Sequence, residues 1–422
     1  LEGLASDGGL FVPESFPKLA PEIESDLKND RFEQRDWLKV ATAVAGAFFA
    51  PDLSSTILEK IVTETCNFPV PLVPVTARQS VLELFNGPTL AFKDFGARFL
   101  ARTVAHLRGE KTLTVLVATS GDTGSAVAHG FYGVEGVRVV ILYPSGKVSK
   151  LQEQQLTTLG GNITALELDG TFDDCQRLVK NAFLNTELSK KFGLISANSI
   201  NIGRLVPQTF YYFRCLAELR KSEKTRSAPI AVAVPSGNLG NITAGLYAKR
   251  LGLNIDHFIS ATNKNDIFPQ FLQNGEFHPR QSELSLSNAM DVGNPSNIAR
   301  VLNFFNNDTA AIRREISGAS ITDAETTETI IRILKSTGYL LDPHTAVGWL
   351  ALERYLERNP NHHGVVLATA HPAKFVDVVE NATGTKVEIP ERLAEAMNRK
   401  KLARKIVADS VALERELERI HS

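Results

Sequence analysis

Between Thr112 and Thr369 the chain alternates short apolar runs with stretches of helical period. Thr112–Thr119 (TLTVLVAT), Val137–Tyr143 (VRVVILY), Asn162–Leu168, Pro229–Val234 (PIAVAV), Asp256–Thr262 and Val365–Thr369 read as buried strands. Ser125–Tyr132, Val148–Leu159, Phe172–Leu184, Ile242–Leu251 and His371–Asn381 read as helices, with Gly160-Gly161 closing one of them. A strand that is apolar on both faces needs cover on both, and parallel neighbours need a crossover between them. This alternation predicts an α/β fold of open, parallel-type sheets with helices on both faces.

The flanks differ. Residues 1–75 carry Gly/Pro-marked loops and amphipathic helices around Trp37–Phe49 and Leu53–Glu64, while Glu391–Ser422 is charged and helical in pattern. The tail contains Arg399-Lys400-Lys401 and Arg404-Lys405, balanced further on by Asp409, Glu414, Glu416 and Glu418. Such a run reads as a solvated helix face rather than a nucleic-acid contact.

Charged residues make up 22% of the chain and the formal net charge is −1, so no whole-molecule field draws in nucleic acid or anionic membrane. No apolar run reaches the length of a membrane span, and the first residues show no signal-peptide layout. Cys66, Cys175 and Cys215 are widely spaced and form no C-x-x-C. That spacing argues against a disulfide framework or a metal site, and suits a reducing cytoplasm.

Chemistry concentrates in three segments. In Leu84-Phe85-Asn86-Gly87-Pro88-Thr89-Leu90-Ala91-Phe92-Lys93-Asp94-Phe95-Gly96 a lysine sits among apolar and aromatic neighbours. Desolvation disfavours an ammonium ion, and a neutral amine attacks aldehydes, as the lysine that holds pyridoxal phosphate does. The alternative is a lysine that snorkels to the surface beside Asp94. Ala118-Thr119-Ser120-Gly121-Asp122-Thr123-Gly124 lies between a strand and a helix. Its small residues and hydroxyls suit a carboxylate at a helix N-terminus, or form no more than a capped turn. Val234-Pro235-Ser236-Gly237-Asn238-Leu239-Gly240-Asn241 holds the same kind of position. Its glycines permit a backbone nest around a phosphate, or a plain βα turn. Neither G-x-G-x-x-G nor G-x-x-x-x-G-K-[ST] is present.

Taken in this order, the three segments resemble the threonine synthases, in their longer bacterial and fungal form. Further matching motifs are Asp7–Pro13, Tyr143–Lys147, Asn198–Asn201, Asn288–Asn297 and Thr369–Phe375, so the likeness spans nearly the whole chain. The resemblance implies pyridoxal-phosphate fold type II, similar to the β subunit of tryptophan synthase. The implied organisation is an N-terminal extension (1–75), a large cofactor domain (76–111 and 206–380), a small α/β domain (112–205) and a C-terminal helical extension (381–422). It also implies a cytoplasmic carbon–oxygen lyase of threonine biosynthesis, converting O-phospho-L-homoserine and water to L-threonine and phosphate. Relatives of this type imply a monomer, with a dimer as the alternative.

Carried over by position, Lys93 matches the Schiff-base lysine and Gly237, Asn238, Leu239 and Gly240 match the cofactor-phosphate loop. Thr369 matches the hydroxyl facing the pyridine nitrogen. Ser120, Asp122 and Thr123 match the loop at the substrate α-carboxylate. Asn201 and Arg204, with Lys147, match residues near the substrate phosphate, for which a guanidinium fork is well shaped. Asn86 and Leu239 depart from the family, which commonly has histidine and phenylalanine there. The nearest rival reading is a threonine dehydratase or another phospholyase of the same fold. A cofactor-binding pseudoenzyme with a regulatory role is a rival of a different class.

Overall fold

The computed structural model describes residues 3–5, 7–50, 52–119 and 121–422. The chain divides into two units, Leu1–Phe11 with Lys93–Arg204 and Ile389–Ser422, and Val12–Phe92 with Leu205–Glu388. Among the described residues no helix is long and apolar enough to cross a membrane.

The first unit is built on strands β3 (Leu113–Ala118), β4 (Val137–Pro144), β5 (Ile163–Asp169), β6 (Leu194–Ser196) and β11 (Arg404–Val407). Their order is β11-β5-β4-β3-β6, with every pairing parallel. Strand alternation sorts the side chains. Val115, Val117, Val139 and Ile141 pack with Leu100, Val104, Val127 and Phe131 of the helices Lys93–Leu107 and Asp122–Phe131. Leu116, Val140 and Leu142 pack on the other face with Cys175, Leu178, Leu413 and Leu417. Both faces are buried, as parallel strands require. Because the Lys93–Leu107 helix joins this core, the division falls at Lys93, within the stretch 76–111 expected in the larger domain.

The C-terminal tail, expected to be helical in pattern, also contributes a strand. It forms a helix (Glu391–Met397), the strand β11, and a second helix (Ser410–His421). The basic run is not a solvated helix face: Lys401 Nζ lies 2.7 Å from both Glu153 and Glu167, and Arg404 pairs with Glu416 at 2.6 Å. Ile406 enters the apolar cluster beneath β5, and that burial selects a strand over a helix.

The second unit holds β1 (Leu72–Pro74), β2 (Gln79–Glu83), β7 (Ile230–Pro235), β8 (His257–Thr262), β9 (Ile316–Ser320) and β10 (His363–Ala368). Their order is β1-β2-β10-β7-β8-β9, and only β1 runs antiparallel to its neighbour. Val81, Ala231, Ala233, Ile259 and Val366 form a core with Val347, Trp349 and Leu352 of the helix Pro343–Arg358. The helices Gln34–Phe49 and Ser55–Thr65 belong to this unit, where the buried Trp37 donates its indole N–H to the Phe210 carbonyl at 3.0 Å. The stretch expected as one helix over 371–381 is a 3₁₀ turn (Pro372–Phe375) followed by a helix (Val376–Thr383). All three cysteines are buried free thiols, and burial pushes those of Cys175 and Cys215 up to about 12.

Candidate active site

In the second unit, β7 runs through Ser236–Leu239 into the helix Gly240–Arg250. Leu239 holds the left-handed conformation, with φ of +59°, although it is not glycine. That geometry costs an L-residue about 1–2 kcal/mol, and the surroundings hold it. Its carbonyl accepts from the Thr243 backbone N–H at 3.0 Å and from the Thr243 hydroxyl at 2.6 Å. Gly237 cannot carry a side chain here: a Cβ would stand 2.9 Å from Met290 Cα and 3.3 Å from the Ala289 carbonyl oxygen. Asn238 is clamped twice, its Oδ1 accepting from Ser296 N–H at 2.5 Å and its carbonyl from Asn297 Nδ2 at 2.9 Å. The buried Arg300 donates in turn to Asn297 Oδ1 at 2.7 Å, and burial lowers its pKa to about 10.

The segment that presses on Gly237 is itself held from the far side. His344 is 2% exposed and its Nε2 accepts the Ala289 backbone N–H at 3.2 Å. With Nε2 accepting, Nδ1 carries the ring hydrogen toward Asp342 Oδ1, 2.8 Å away. Asp342 also caps the Pro343–Arg358 helix through the His344 and Thr345 N–H groups.

Thr369, at the end of β10, is 5% exposed, and its carbonyl accepts the Phe92 N–H at 2.9 Å. Leu90 takes the His371 N–H at 3.1 Å, Ala91 and Ala370 form an antiparallel bridge, and the buried Lys374 donates to the Thr89 carbonyl at 2.9 Å. The chain before Lys93 is therefore stapled beside Thr369. Asn86, in the same segment, is half-buried.

In the first unit, Lys93 opens its helix and is half-buried, while Asp94, Phe95 and Gly96 are fully buried. Arg204 packs on this first turn; a Cβ on Gly96 would stand 2.6 Å from its carbonyl oxygen and 2.9 Å from its Nε. Its Nη1 donates to the Ala197 carbonyl. Burial lowers its pKa to about 10, and the Asp94 charge opposes that fall. Asn201 bonds Ser196 O through Nδ2 at 2.9 Å, and its Oδ1 accepts Gly203 N–H at 2.9 Å. Those bonds shape the turn that carries Arg204. Lys147 stands apart, exposed on the turn after β4.

The loop after β3 is organised by a residue that sequence reasoning quoted but did not single out. Thr119 Oγ1 accepts the N–H groups of Gly121 at 2.9 Å and Gly124 at 2.8 Å. Asp122 is 4% exposed and begins the helix Asp122–Phe131, with the half-buried Thr123 next to it. Its Oδ1 accepts from Gln152 Nε2 at 2.9 Å. Ser120 lies outside the described residues. Gln152, Arg300 and His344 were missed, and Asn297 was quoted only as the end of the Asn288–Asn297 motif. Only Asp342-Pro343-His344 carried a local signal, that of a helix start.

Comparison with known proteins is consistent along the chain. Residues 80–370 match the family model described as pyridoxal-phosphate dependent enzyme. Residues 1–66 match that for the threonine synthase N terminus and residues 345–416 that for threonine synthase, C-terminal. Threonine synthase of Escherichia coli (strain K12) is 46% identical over 413 residues, covering 98% of this chain and 94% of that protein. A crystal structure of the Escherichia coli protein superposes with a TM-score of 0.90 at 44% identity, covering 100% of this chain and 95% of the other. Threonine synthase of Brucella melitensis, a structure with bound pyridoxal phosphate, gives a TM-score of 0.89 at 36% identity, covering 99% of this chain and 95% of the other. On the fold and these matches together, the chain belongs to the threonine synthase family of pyridoxal-phosphate-dependent lyases.

Proposed function

We propose that this chain converts O-phospho-L-homoserine and water to L-threonine and phosphate. The observation that supports it most is the match at both ends of the chain, residues 1–66 and 345–416, to models specific to threonine synthases. The residues present also suit the cofactor. The left-handed turn at Leu239 leads β7 into the start of the Gly240–Arg250 helix, and the N–H groups opening that helix favour an anion such as the cofactor phosphate.

In this reading the Lys93 amine carries the cofactor covalently, the Gly237–Gly240 backbone holds its phosphate, and the Thr369 hydroxyl faces its ring nitrogen. A hydroxyl there, unlike a carboxylate, does not fix a proton on that nitrogen. When bound, pyridoxal phosphate supplies the electron sink for carbanion character on the substrate. Lys93 moves protons at the α and β carbons. Ser120, Asp122 and Thr123 meet the α-carboxylate side of the substrate. Arg204 supplies positive charge for the substrate phosphate, Asn201 shapes the turn that carries it, and Lys147 contributes from the solvent side. Phosphate leaves from the γ carbon and water adds at the β carbon, so one water is consumed for each phosphate released. The test is phosphate release from O-phospho-L-homoserine with threonine identified as product. Release without threonine would overturn the assignment. The buried free thiols suit a protein that works in the cytoplasm.

A further inference from the structure

Gln152 is 1% exposed on the helix Lys150–Thr157, and its amide is held at both ends. The Ser149 hydroxyl donates to its Oε1 at 3.0 Å and accepts its backbone N–H at 3.3 Å. With the carbonyl end engaged, Nε2 is turned to Asp122 Oδ1 at 2.9 Å. Gly121 makes room for this approach. A Cβ at that position would lie 2.6 Å from Gln152 Oε1 and 2.7 Å from Nε2. The next residue on the helix, Glu153, faces elsewhere: its Oε1 accepts from Lys401 Nζ at 2.7 Å and from the Tyr143 hydroxyl at 3.0 Å. Consecutive helical residues diverge by about 100°. One short helix thus grips the Asp122 loop with one side chain and the C-terminal segment with the next.

We propose that Gln152 is a positioning residue, whose neutral amide aims the Asp122 carboxylate toward the substrate while Lys401 holds the helix that carries it. The inference rests on the assignment of the Asp122 loop to the substrate.

An isosteric substitution separates aiming from packing. In Gln152→Glu two carboxyl groups stand at hydrogen-bond distance, and such a pair shares one proton. With that proton present, the new O–H replaces the amide donor. Once it is lost, two like charges repel and Asp122 swings away. Other ionisable groups on the packed elements are Lys150 and Glu153, His129 two turns along from Asp122, Lys93, Asp94, Arg98, Arg102 and His106 of the Lys93–Leu107 helix, Arg138 and Tyr143 on β4, Glu167 and Asp169 on β5, and Glu391, Arg392 and Glu395 of the C-terminal segment. All are common to both proteins, so the difference between their pH profiles isolates the new pair.

The experiment measures KM and kcat for O-phospho-L-homoserine across pH in wild type, Gln152→Glu, Gln152→Leu and Asp122→Asn. Cofactor absorbance and the thermal midpoint are followed alongside. Gln152→Glu is expected to match wild-type KM within about threefold at acid pH and to rise reversibly about tenfold or more toward alkaline pH, with absorbance and midpoint steady. Gln152→Leu is expected to raise KM about tenfold at every pH. If both Gln152 variants track wild type while Asp122→Asn is impaired, the proposal fails and the substrate assignment stands. If Asp122→Asn also keeps its KM, the substrate assignment fails and takes the proposal with it. A thermal midpoint that falls in step with the rise in KM would reduce Gln152 to a packing role.

Discussion

The backbone N–H of Phe92 donates to the carbonyl of Thr369 at 2.9 Å, and this bond fixes where the chain leaves the second unit, one residue before Lys93. The residue before Lys93 is tied to the residue assigned to the cofactor ring. The Ala91–Ala370 bridge and the bond between His371 N–H and the Leu90 carbonyl stop the strip from sliding. A one-residue slip would turn the following side chain to the opposite face.

Lys93→Ala is expected to abolish turnover and the absorbance of lysine-bound cofactor while the fold persists. Lys93 is the first residue of its helix and only half-buried, so alanine is tolerated there. Borohydride reduction followed by peptide mapping should label Lys93. A label on another lysine would end the assignment.

Gly237→Val should weaken cofactor binding by about tenfold or more, equivalent to ~1.4 kcal/mol. The branched side chain has no room beside Met290 and Val292, which a Cβ alone would approach to 2.9 and 3.0 Å. Gly240→Val should act in the same direction by obstructing the first turn of the helix. Cofactor affinity measured against urea stability checks this. Equal losses in both would mean that the loop is structural.

Substrate choice should turn on the phosphate. Arg204→Ala is expected to lower kcat/KM on O-phospho-L-homoserine by an equivalent of ~2–4 kcal/mol, and Arg204→Lys should not restore it because the planar fork is gone. Homoserine, with a poor leaving group, should be turned over negligibly. Parallel kinetics on phosphohomoserine, homoserine and threonine decide the matter. Efficient wild-type conversion of threonine to 2-oxobutanoate would favour the dehydratase.

Acid should destabilise the second unit through His257. Burial lowers the pKa of this imidazole from 6.5 to about 4; it stacks on Tyr355 at 4.9 Å and bonds Ser317 Oγ at 3.0 Å. Between those values the unfolded chain binds a proton that the folded one refuses. The stabilising contribution is therefore complete above the unfolded pKa and is lost as pH falls toward 4, with a limiting slope of about 1.4 kcal/mol per pH unit. Burial acts in the same direction on His363. The stability difference between pH 7 and pH 5 should shrink by about 1–2 kcal/mol in His257→Gln, read from urea midpoints.

What the sequence made legible follows the range of the forces involved. Phe172–Leu184 was read to the residue, because a Thr171–Asp174 capping box and an apolar stripe are local signals. Ile316–Ser320 went unread as β9. It is an edge strand with only Ile316 of its five residues buried, so little hydrophobic contrast marks it. Among site residues, Lys93 and the glycines of the two loops were visible because their chemistry is unusual where they stand. Gln152 was not: it is an ordinary polar residue in a short helix, and it meets Asp122 only once the sheet has formed.

The pairing of β11 with β5 has a consequence for the order in which the protein can be assembled. Arg404–Val407 lie beside Leu166–Asp169, so the five-stranded sheet is completed by residues made long after the strand they pair with. Until they emerge, the nascent chain presents the open edge of β5, and Glu153 and Glu167 await the lysine that neutralises them. Maturation of the first unit thus waits for this segment, and a ribosome stalled short of Lys401 would carry an unfinished sheet.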